Sequence, residues 1–228
     1  MVKYVEFSFE ILDEIEAEKI LKKLELAGRV CYKSEEKITP ESSKKLMTQI
    51  CASGHLSVIE HVNISVRFIC NRGFTHELVR HRLASYSQES TRYCDYGKDK
   101  FKKQISVIDQ RETFKNYFNN PKLILKPEES RADKIARCIN EWILAMEDSE
   151  RHYMNLREIG LPPQLARGVL VIDLKTEIIM TANLREWKHV FLLRTSESAH
   201  PNMRDLMSKL LSEFENKIPI IFDELKEM

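Results

Sequence analysis

The sequence predicts an α+β fold, a single domain over residues 1–228 in which a central, mostly antiparallel sheet is flanked by helices. Alternating apolar residues predict strands at Val62–Cys70 and Asp173–Thr181. Apolar residues at helical spacing predict one long helix near the middle of the chain, over Ser130–Ile159. Because 228 residues contain no linker rich in Gly, Pro or Ser and no internal repeat, we expect one substantial core.

Shorter patterns predict the remaining elements. Pro40 after Thr39 predicts a helix capped by Thr39, with the proline at its first position. Residues 95–130 are charged and irregular, so we assign them no chemistry and expect an insertion or a covering element. The other predicted elements are a strand at Val2–Phe9, a helix at Ile15–Val30, a short strand at Gln104–Ile108, a short helix at Gln164–Leu170, and helices at Asn183–Arg194 and Ser196–Leu211.

Composition narrows the class of protein. A hydrophobic fraction of 43% with 31% charged residues is typical of a soluble protein. A net charge of +1 argues against binding to a nucleic acid polymer, which favours a strong basic excess. No apolar run approaches the roughly 18 residues of a membrane span, and no signal peptide is evident. We therefore expect a cytoplasmic protein that does not associate with a membrane. The cysteines are expected to be reduced and mostly core residues: Cys31, Cys51, Cys70, Cys94 and Cys138.

The stretch Thr75–Tyr93 carries the most informative pattern. Phe74 and Leu78 lie four residues apart, as do Val79 and Leu83, which predicts a helix that includes Arg80–Arg82. On a helix, three consecutive basic residues fan out at about 100° each. They could not all grip one small ligand, so we expect them to meet different groups, on more than one molecule or subunit.

The residues that follow are rich in hydroxyl groups. Ser85–Arg92 offers hydroxyl and backbone donors beside a fixed positive charge, which suits a phosphate. Two alternatives stay open at this point. Taken alone, an Arg-His-Arg triplet is more often a solvated face or a set of salt bridges, and a hydroxyl-rich loop is more often an ordinary turn.

A zinc site is excluded by spacing. His76 and His81 resemble the two histidines of a metalloprotease HExxH helix, but one extra residue separates them. On a regular helix their imidazoles would point about 140° apart and could not chelate one ion. Since no other Cys/His cluster has metal-ligand spacing, we predict no metal.

Three motifs together resemble the flavin-dependent thymidylate synthases over most of the chain. Arg80-His81-Arg82 is followed by seven residues and Ser90, which is the RHR-x7-S signature of that family, and SYSQESTRY resembles its nucleotide-binding loop. The segment Gly54–His61 resembles the family's GH-x-(S/T)-x-x-EH motif. The segment Asn183–Arg194 resembles a family element with Asn, Arg, His and Arg at matching positions.

The resemblance implies the following site residues. Arg194 and Ser90 would be catalytic, Arg194 by favouring negative charge on the uracil ring and Ser90 as a binding and polarising group rather than a nucleophile. Deoxyuridylate would be bound by Glu77, Arg80, Gln88, Glu89, Ser90, Thr91, Arg92, Arg167 and Arg194. FAD would be bound by Cys31, Ser57, Glu60, Arg80, His81, Arg82, Asn183, Arg185, His189 and Leu193. The folate pocket would include His55 and Tyr93.

The implied reaction makes thymidylate from deoxyuridylate, with methylenetetrahydrofolate as one-carbon donor and FADH2, reduced by NADPH, as hydride source. The implied assembly is a homotetramer whose active sites are shared between subunits. Two residues depart from the common family pattern: Glu77 replaces a frequent glutamine and Glu89 a frequent apolar residue. A carboxylate near a phosphate is unfavourable unless an arginine neutralises it. Competing hypotheses are a relative with altered base or one-carbon chemistry, and a noncatalytic phosphate- or RNA-binding module.

Overall fold

A computed structural model describes residues 2–123 and 130–223 of the chain. Its elements form the predicted α+β fold, with a four-stranded antiparallel sheet flanked by helices. The strands are β1 (Lys3–Val5), β2 (Ser8–Ile11), β3 (Asn63–Asn71), β4 (Ala84–Gln88), β5 (Ser106–Ile108) and β6 (Lys175–Asn183). The α-helices are α1 (Ala17–Val30), α2 (Ser42–Ala52), α3 (Arg72–Leu78), α4 (Arg111–Asn119), α5 (Arg131–Glu158), α6 (Pro163–Ala166), α7 (Leu184–Arg194), α8 (Pro201–Lys217) and α9 (Pro219–Phe222).

The strands form two sheets. The larger sheet has the order β2-β3-β6-β4, so its two central strands are the ones that alternation predicted. The smaller sheet pairs β1 with β5 in parallel, with Lys3 opposite Ser106. Burial alternates along both central strands, because successive side chains of a strand point to opposite faces. The alternating buried side chains of the two strands are Ile64, Val66, Phe68 and Cys70 on β3, and Thr176, Ile178, Met180 and Ala182 on β6.

The chain separates into two compact units. The first unit comprises Met1–Ser8, Ile69–Leu78 and Gln88–Ile178. The second unit comprises Phe9–Phe68, Val79–Ser87 and Ile179–Met228. The expectation of one domain over residues 1–228 stays a prediction.

The core of the first unit is built against the long helix α5. Ser130 caps this helix, because its side chain accepts a hydrogen bond from the backbone N–H of Asp133. Trp142, Met146 and Tyr153 then fall on its buried stripe. Together with residues of β5 they form one apolar cluster. The long helix near the middle of the chain is therefore confirmed.

The core of the second unit is aromatic. Trp187 and Phe191 lie one helical turn apart on α7, with ring centroids 5.6 Å apart. Phe214 of α8 and Phe222 of α9 pack edge-on against Phe191. The indole N–H of Trp187 donates to the backbone oxygen of Ile64 at 3.0 Å. This packing fixes α7, from which several candidate site residues project.

Two predictions near the N-terminus are wrong in detail. The single strand expected at Val2–Phe9 is two strands, β1 and β2, which belong to different sheets. Helix α2 begins at Ser42 rather than at Pro40. The reason is a local turn, in which the hydroxyl of Ser42 accepts from the backbone N–H of Thr39 at 2.8 Å and donates to its carbonyl. Thr39 is thus held by Ser42 and does not cap the helix.

The expected helix over Arg80–Arg82 is also wrong. Helix α3 ends at Leu78, and the Arg-His-Arg triplet lies in a turn and an irregular segment after it. Val79 and Leu83 are 40% and 75% exposed, so the second apolar pair does not mark a buried face. The expected hydroxyl-rich loop is shorter than predicted, because Ala84–Gln88 forms strand β4.

Other sequence expectations have mixed outcomes. Among the cysteines, Cys51 and Cys70 are buried and Cys94 packs half-buried against the apolar cluster, whereas Cys31 and Cys138 are exposed. Within residues 95–130, positions 124–129 lie outside the described residues. None of the helices described is both long enough and apolar enough to span a membrane.

Candidate functional site

The second unit contains a cavity of about 640 Å³ that we call the arginine cavity. It is formed by three segments of the chain: the end of the 3-10 helix Leu56–His61, the Arg-His-Arg triplet, and helix α7 with the residue before it. Its lining residues are Glu60, Arg80, His81, Arg82, Leu83, Asn183, Arg185, Glu186, His189, Leu193 and Arg194. The cavity thus brings together Arg80 and Arg194, which the sequence predicts to act on the same ligands.

Helix α7 reaches the cavity because of how it begins. Strand β6 ends at Asn183, whose side-chain oxygen accepts from the backbone N–H of Glu186 at 2.8 Å. This is an N-cap, and it starts the helix directly at the end of the strand. Arg185 and His189, four residues apart, then share one face of the helix. Both line the cavity, as the sequence predicts.

The Arg-His-Arg triplet is anchored by its central residue. His81 is 4% exposed, whereas Arg80 and Arg82 are both exposed. The phenolic O–H of Tyr86 donates to the backbone oxygen of His81 at 2.8 Å, which ties the irregular segment to β4. A buried histidine therefore fixes the backbone from which the two flanking arginines reach the cavity.

The ring of His81 is neutral. The Nε–H of Arg194 donates to Nε2 of His81 at 2.9 Å, which requires a lone pair on that nitrogen. Burial, and after it the neighbouring Arg194 and His189, lower the pKa of His81 to about 4. The ring of His189 approaches edge-on, with centroids 5.7 Å apart. His81 thus acts as a hydrogen-bond acceptor for Arg194.

Glu186 stands on the other side of the His81 ring. Its Oε1 lies 3.5 Å from Nδ1 of His81, and its side chain is buried. Burial raises the pKa of the Glu186 carboxyl, while the nearby His189 lowers it. Because the imidazole is neutral, this contact is one between a carboxyl group and an N–H and not an ion pair.

The arginine cavity has an excess of positive charge. Four arginines and two glutamates line it, and Arg185 donates to Glu60 at 2.6 Å. Arginine presents a planar set of N–H donors that matches phosphate oxygens. A partly closed pocket of this size suits a small-molecule ligand. The cavity can therefore hold a ligand that carries phosphate groups.

The first unit holds the second part of the motif, residues 89–92, which we call the hydroxyl loop. The backbone N–H of Glu89 donates to the carbonyl of Glu177 at 2.8 Å, so the loop begins bonded to β6. The hydroxyl of Ser90 accepts from the backbone N–H of Arg92 at 3.2 Å. The hydroxyl of Thr91 accepts from Arg167 at 3.1 Å. The loop is thereby held in a turn with the guanidinium of Arg167 beside it.

A small cavity of about 190 Å³ lies at this loop in the first unit. Its polar lining comes from Arg72, His76, Thr91 and Arg167, and its apolar lining from Leu170, Val171, Ile172 and Leu174. Arg72 also donates to the carbonyl of Glu89 at 3.1 Å. Two arginines, a histidine and a hydroxyl around a space of this size suit a single phosphate group.

The carboxylate of Glu89 is neutralised within the first unit. It accepts from the phenolic O–H of Tyr96 at 2.9 Å and from Lys175 at 3.1 Å. Burial alone would lower the pKa of Lys175, but bonds to Glu177 and Glu89 raise it, so the amine stays charged. The sequence predicted that an arginine would be needed here, and the structure supplies a lysine instead.

The remaining predicted site residues are not among the lining residues of these two cavities. His55 and Ser57 lie at and just inside the 3-10 helix Leu56–His61, and Cys31 follows α1 with its thiol near the carbonyl of Ala27. Tyr93 is 81% exposed, and the guanidinium of Arg92 lies 5.5 Å from its ring centre. Gln88 donates to the hydroxyl of Thr75 at 3.0 Å. Glu77 lies on α3.

Besides the apolar lining of the small cavity, sequence reasoning missed four residues of these cavities. Glu186 and Leu83 line the arginine cavity, and Arg72 and His76 line the small cavity. For Glu186 a signal was present, because an acidic residue three positions after an Asn cap marks the first turn of a helix. For Arg72 the signal was its place two residues after the strand predicted at Val62–Cys70.

Comparisons with known proteins agree on one family. The family model described as "Thymidylate synthase complementing protein" matches residues 11–220. A flavin-dependent thymidylate synthase of Pyrococcus horikoshii is 34% identical over 179 residues, which are 78% of this chain and 65% of that protein. One of Geobacter sulfurreducens is 32% identical over 205 residues, which are 86% of this chain and 78% of that protein. The chain thus spans slightly less than two thirds of the Pyrococcus horikoshii protein.

A solved structure shares the fold. The UMP/dUMP methylase PolB from Streptomyces cacaoi, bound with 5-Br dUMP, superposes with a TM-score of 0.76. The alignment covers 100% of this chain and 98% of that one, at 19% sequence identity. At this identity the likeness concerns the arrangement of the elements.

Proposed function

Because the chain belongs to the family described as thymidylate synthase complementing protein, we propose that it is an enzyme that makes thymidylate from deoxyuridylate with a bound flavin. The observation that carries the proposal is the arginine cavity, where the two arginines of the signature meet Arg185 and Arg194. The names of the relatives, flavin-dependent thymidylate synthases, support the same activity.

The residues of the arginine cavity fit FAD. Arg80, Arg82 and Arg185 would hold its diphosphate, since the cavity has more cations than carboxylates. Leu193 and the side chains of Asn183 and His189 would hold the flavin ring. FAD supplies a hydride from its reduced ring, and we propose NADPH as the reductant.

Arg194 would act on the pyrimidine ring. A guanidinium remains charged at any working pH, so it cannot remove a proton but can favour negative charge on the uracil ring as the ring is activated. The bond from its Nε to His81 fixes the direction from which it meets the substrate. We therefore assign Arg194 to substrate activation.

The hydroxyl loop would bind the phosphate of deoxyuridylate. Ser90, Thr91 and Arg92 would offer hydroxyl, backbone and guanidinium donors, and Arg167 is already held beside Thr91. Ser90 would bind and polarise, since the hydrogen bond recorded for its hydroxyl is from a backbone N–H rather than to a base. Gln88 and Glu77 would support the same nucleotide, and Glu89 would act through Lys175.

The one-carbon donor is proposed to be methylenetetrahydrofolate, with His55 and Tyr93 as its pocket. An exposed tyrosine such as Tyr93 can stack on a planar heterocycle. Cys31, Ser57 and Glu60 are assigned to the flavin. We further propose a homotetramer in which active sites are shared between subunits.

Anaerobic turnover tests the proposed function. The purified protein is loaded with FAD and mixed with deoxyuridylate, methylenetetrahydrofolate and NADPH, and thymidylate is measured by chromatography. Parallel reactions contain uridylate or omit the folate. We expect thymidylate in the complete reaction only. Methylation of uridylate alone would identify the altered-base relative, and a protein that binds no FAD would support the noncatalytic module; either result rejects the proposal.

A further inference from the structure

We propose that Glu186 is a positioning residue that acts through His81 to hold Arg194 in its working orientation. The inference rests on the role that the proposed function gives to Arg194. Neither the family signature nor the sequence pattern assigned a role to Glu186.

The first step is the tautomer of His81. Arg194 Nε is a donor only, and it lies 2.9 Å from Nε2 of His81. Nε2 must therefore carry the lone pair, and in a neutral ring the hydrogen is then on Nδ1. That nitrogen lies 3.5 Å from Oε1 of Glu186. The three side chains form a chain in which each hydrogen points from Arg194 towards Glu186.

The second step is that Glu186 is itself fixed. It occupies the first turn of α7, where its backbone N–H is bound by the Asn183 side chain at 2.8 Å. A carboxylate in this turn is favoured by the helix dipole. Glu186 and His81 are 6% and 4% exposed, so water does not readily replace either group. Tyr86 holds the backbone of His81 at 2.8 Å.

The third step is the consequence of losing the carboxyl group. Without an acceptor at Nδ1, the ring can place its hydrogen on Nε2, where it would face the Nε–H of Arg194. Two donors then oppose each other, and the hydrogen bond between Arg194 and the His81 ring is lost. The carboxylates of serine hydrolase triads fix a histidine tautomer in the same way. A guanidinium that is held through Nε presents its Nη edge to a ligand. Without the bond to His81, this edge of Arg194 would no longer be held in one direction.

The 3.5 Å separation is compatible with this role. It is longer than a good hydrogen bond. Hydrogen bonds of catalytic groups are often long in the absence of ligands and shorten when ligands bind. Within residues 2–123 and 130–223, the charged or titratable groups other than Glu186 in contact with His81 are Arg194 at Nε2, the ring of His189, which approaches edge-on, and Tyr86, whose hydroxyl donates to the His81 backbone oxygen.

The first test is spectroscopic and needs no substrate. Nitrogen NMR of 15N-histidine-labelled protein reports which ring nitrogen of His81 carries the hydrogen. We expect the Nδ1–H form in the unaltered protein and a shift towards the Nε2–H form in Glu186→Leu. The Nε2–H form in the unaltered protein, or no change in the variant, would overturn the proposal.

The second test separates positioning from folding. In Glu186→Leu we expect kcat to fall at least roughly tenfold, as for loss of a transition-state donor, with the FAD dissociation constant changed by less than about twofold. Glu186→Gln, which keeps an oxygen acceptor and the side-chain shape, should recover most of kcat. In the His81→Ala background, Glu186→Leu should have no further effect, because residues that act as a unit are non-additive. Additive effects would contradict the proposal that Glu186 acts through His81, which we call the relay.

Controls distinguish this inference from the proposed function. Glu25 is a buried glutamate of the same unit, 3.0 Å from Arg29, so Glu25→Gln controls for the loss of a buried carboxylate. If the unaltered protein makes no thymidylate, the proposed function fails while NMR still decides the tautomer. If it makes thymidylate and Glu186→Leu keeps full kcat, only the relay fails. Should Glu186→Leu not fold, Glu186→Gln and the NMR spectrum of the unaltered protein decide.

Discussion

The arginine cavity of the second unit and the hydroxyl loop of the first unit carry the two parts of one sequence motif, yet they use charge differently. In the cavity, arginines outnumber carboxylates and surround open space. At the loop, charged groups are bound to protein partners: Glu89 to Lys175, and Arg157 to Asp95 at 2.6 Å. Charged side chains thus border open space in the cavity, whereas beside the loop they are paired with one another.

This difference predicts different consequences of mutation. Removing a cation from the cavity should weaken ligand binding or turnover at little cost in stability, because open space and water replace it. Removing a partner near the loop should leave a buried group unsatisfied and lower the free energy of unfolding. Four sets of variants test this contrast, in order of decreasing expected effect.

The largest effect is expected for Arg194→Ala. Because this guanidinium would stabilise charge that develops only during reaction, kcat should fall by about 10²–10³, or about 3–4 kcal/mol. The FAD dissociation constant and the melting temperature should change little. Steady-state kinetics, FAD titration and thermal melting measure the three quantities. A loss of FAD binding as large as the loss of turnover would place Arg194 in the cofactor site instead.

Arg194→Lys is the matched control for charge. A lysine keeps the positive charge but has no Nε–H that can reach Nε2 of His81 while a second edge meets the substrate. We expect it to recover less than about a tenth of the lost activity. Full recovery would show that charge alone matters and that the contact with His81 is incidental.

The second effect is expected for Glu89→Leu. The variant removes the acceptor of the buried Tyr96 hydroxyl, while Lys175 keeps Glu177 at 2.6 Å. Stability should fall by about 2 kcal/mol, which urea unfolding measures. Glu112→Leu removes an exposed glutamate paired with Lys115 and should cost less than about 0.5 kcal/mol. Equal costs would show that the loop is not held by Glu89.

Long elements of this fold could be read from the sequence because one physical signal dominates each of them. Strands β3 and β6 alternate between buried and less buried residues, and α5 presents a stripe with Trp142 and Tyr153. In each case the pattern reflects a face that must leave water. Length then made the pattern unambiguous.

The segment around Arg80 could not be read in this way. Phe74 and Leu78 are buried, but the next apolar pair, Val79 and Leu83, is exposed, so spacing alone suggested one helix turn too many. The end of α3 depends instead on tertiary contacts, such as the bond from Tyr86 to the carbonyl of His81. Such contacts link residues through the fold and leave no periodic trace.

The candidate site was predictable as residue types but not as contacts. The motif named Arg80, His81 and Arg194, and all three line one cavity. The sequence motif did not indicate that His81 would be buried and neutral, because the burial that lowers its pKa comes from packing against α7. The role of Glu186 likewise depends on a three-dimensional neighbour 105 positions earlier in the chain, His81.

The third effect is expected for Ser90→Ala. Its hydroxyl would donate to the nucleotide phosphate, and one hydrogen bond of this kind contributes about 1 kcal/mol. The dissociation constant for deoxyuridylate should rise roughly fivefold, while FAD affinity should not change. Isothermal titration measures both. Ser85→Ala, on an exposed position of β4, is the control. Unchanged nucleotide affinity in Ser90→Ala would remove Ser90 from the site.

The smallest effect concerns the pH dependence of stability. Burial holds the pKa of His81 near 4, whereas an unfolded histidine titrates near 6.5, so the unfolded chain binds more protons between these values. Stability should therefore fall with decreasing pH across this window, by about 0.7 kcal/mol from pH 7 to pH 6. His81→Gln should lack this contribution, while His189→Gln should retain it. Identical pH profiles for His81→Gln and the unaltered protein would mean that His81 is not buried in solution. The arrangement described for the arginine cavity, and with it the contrast with the loop, would then be wrong.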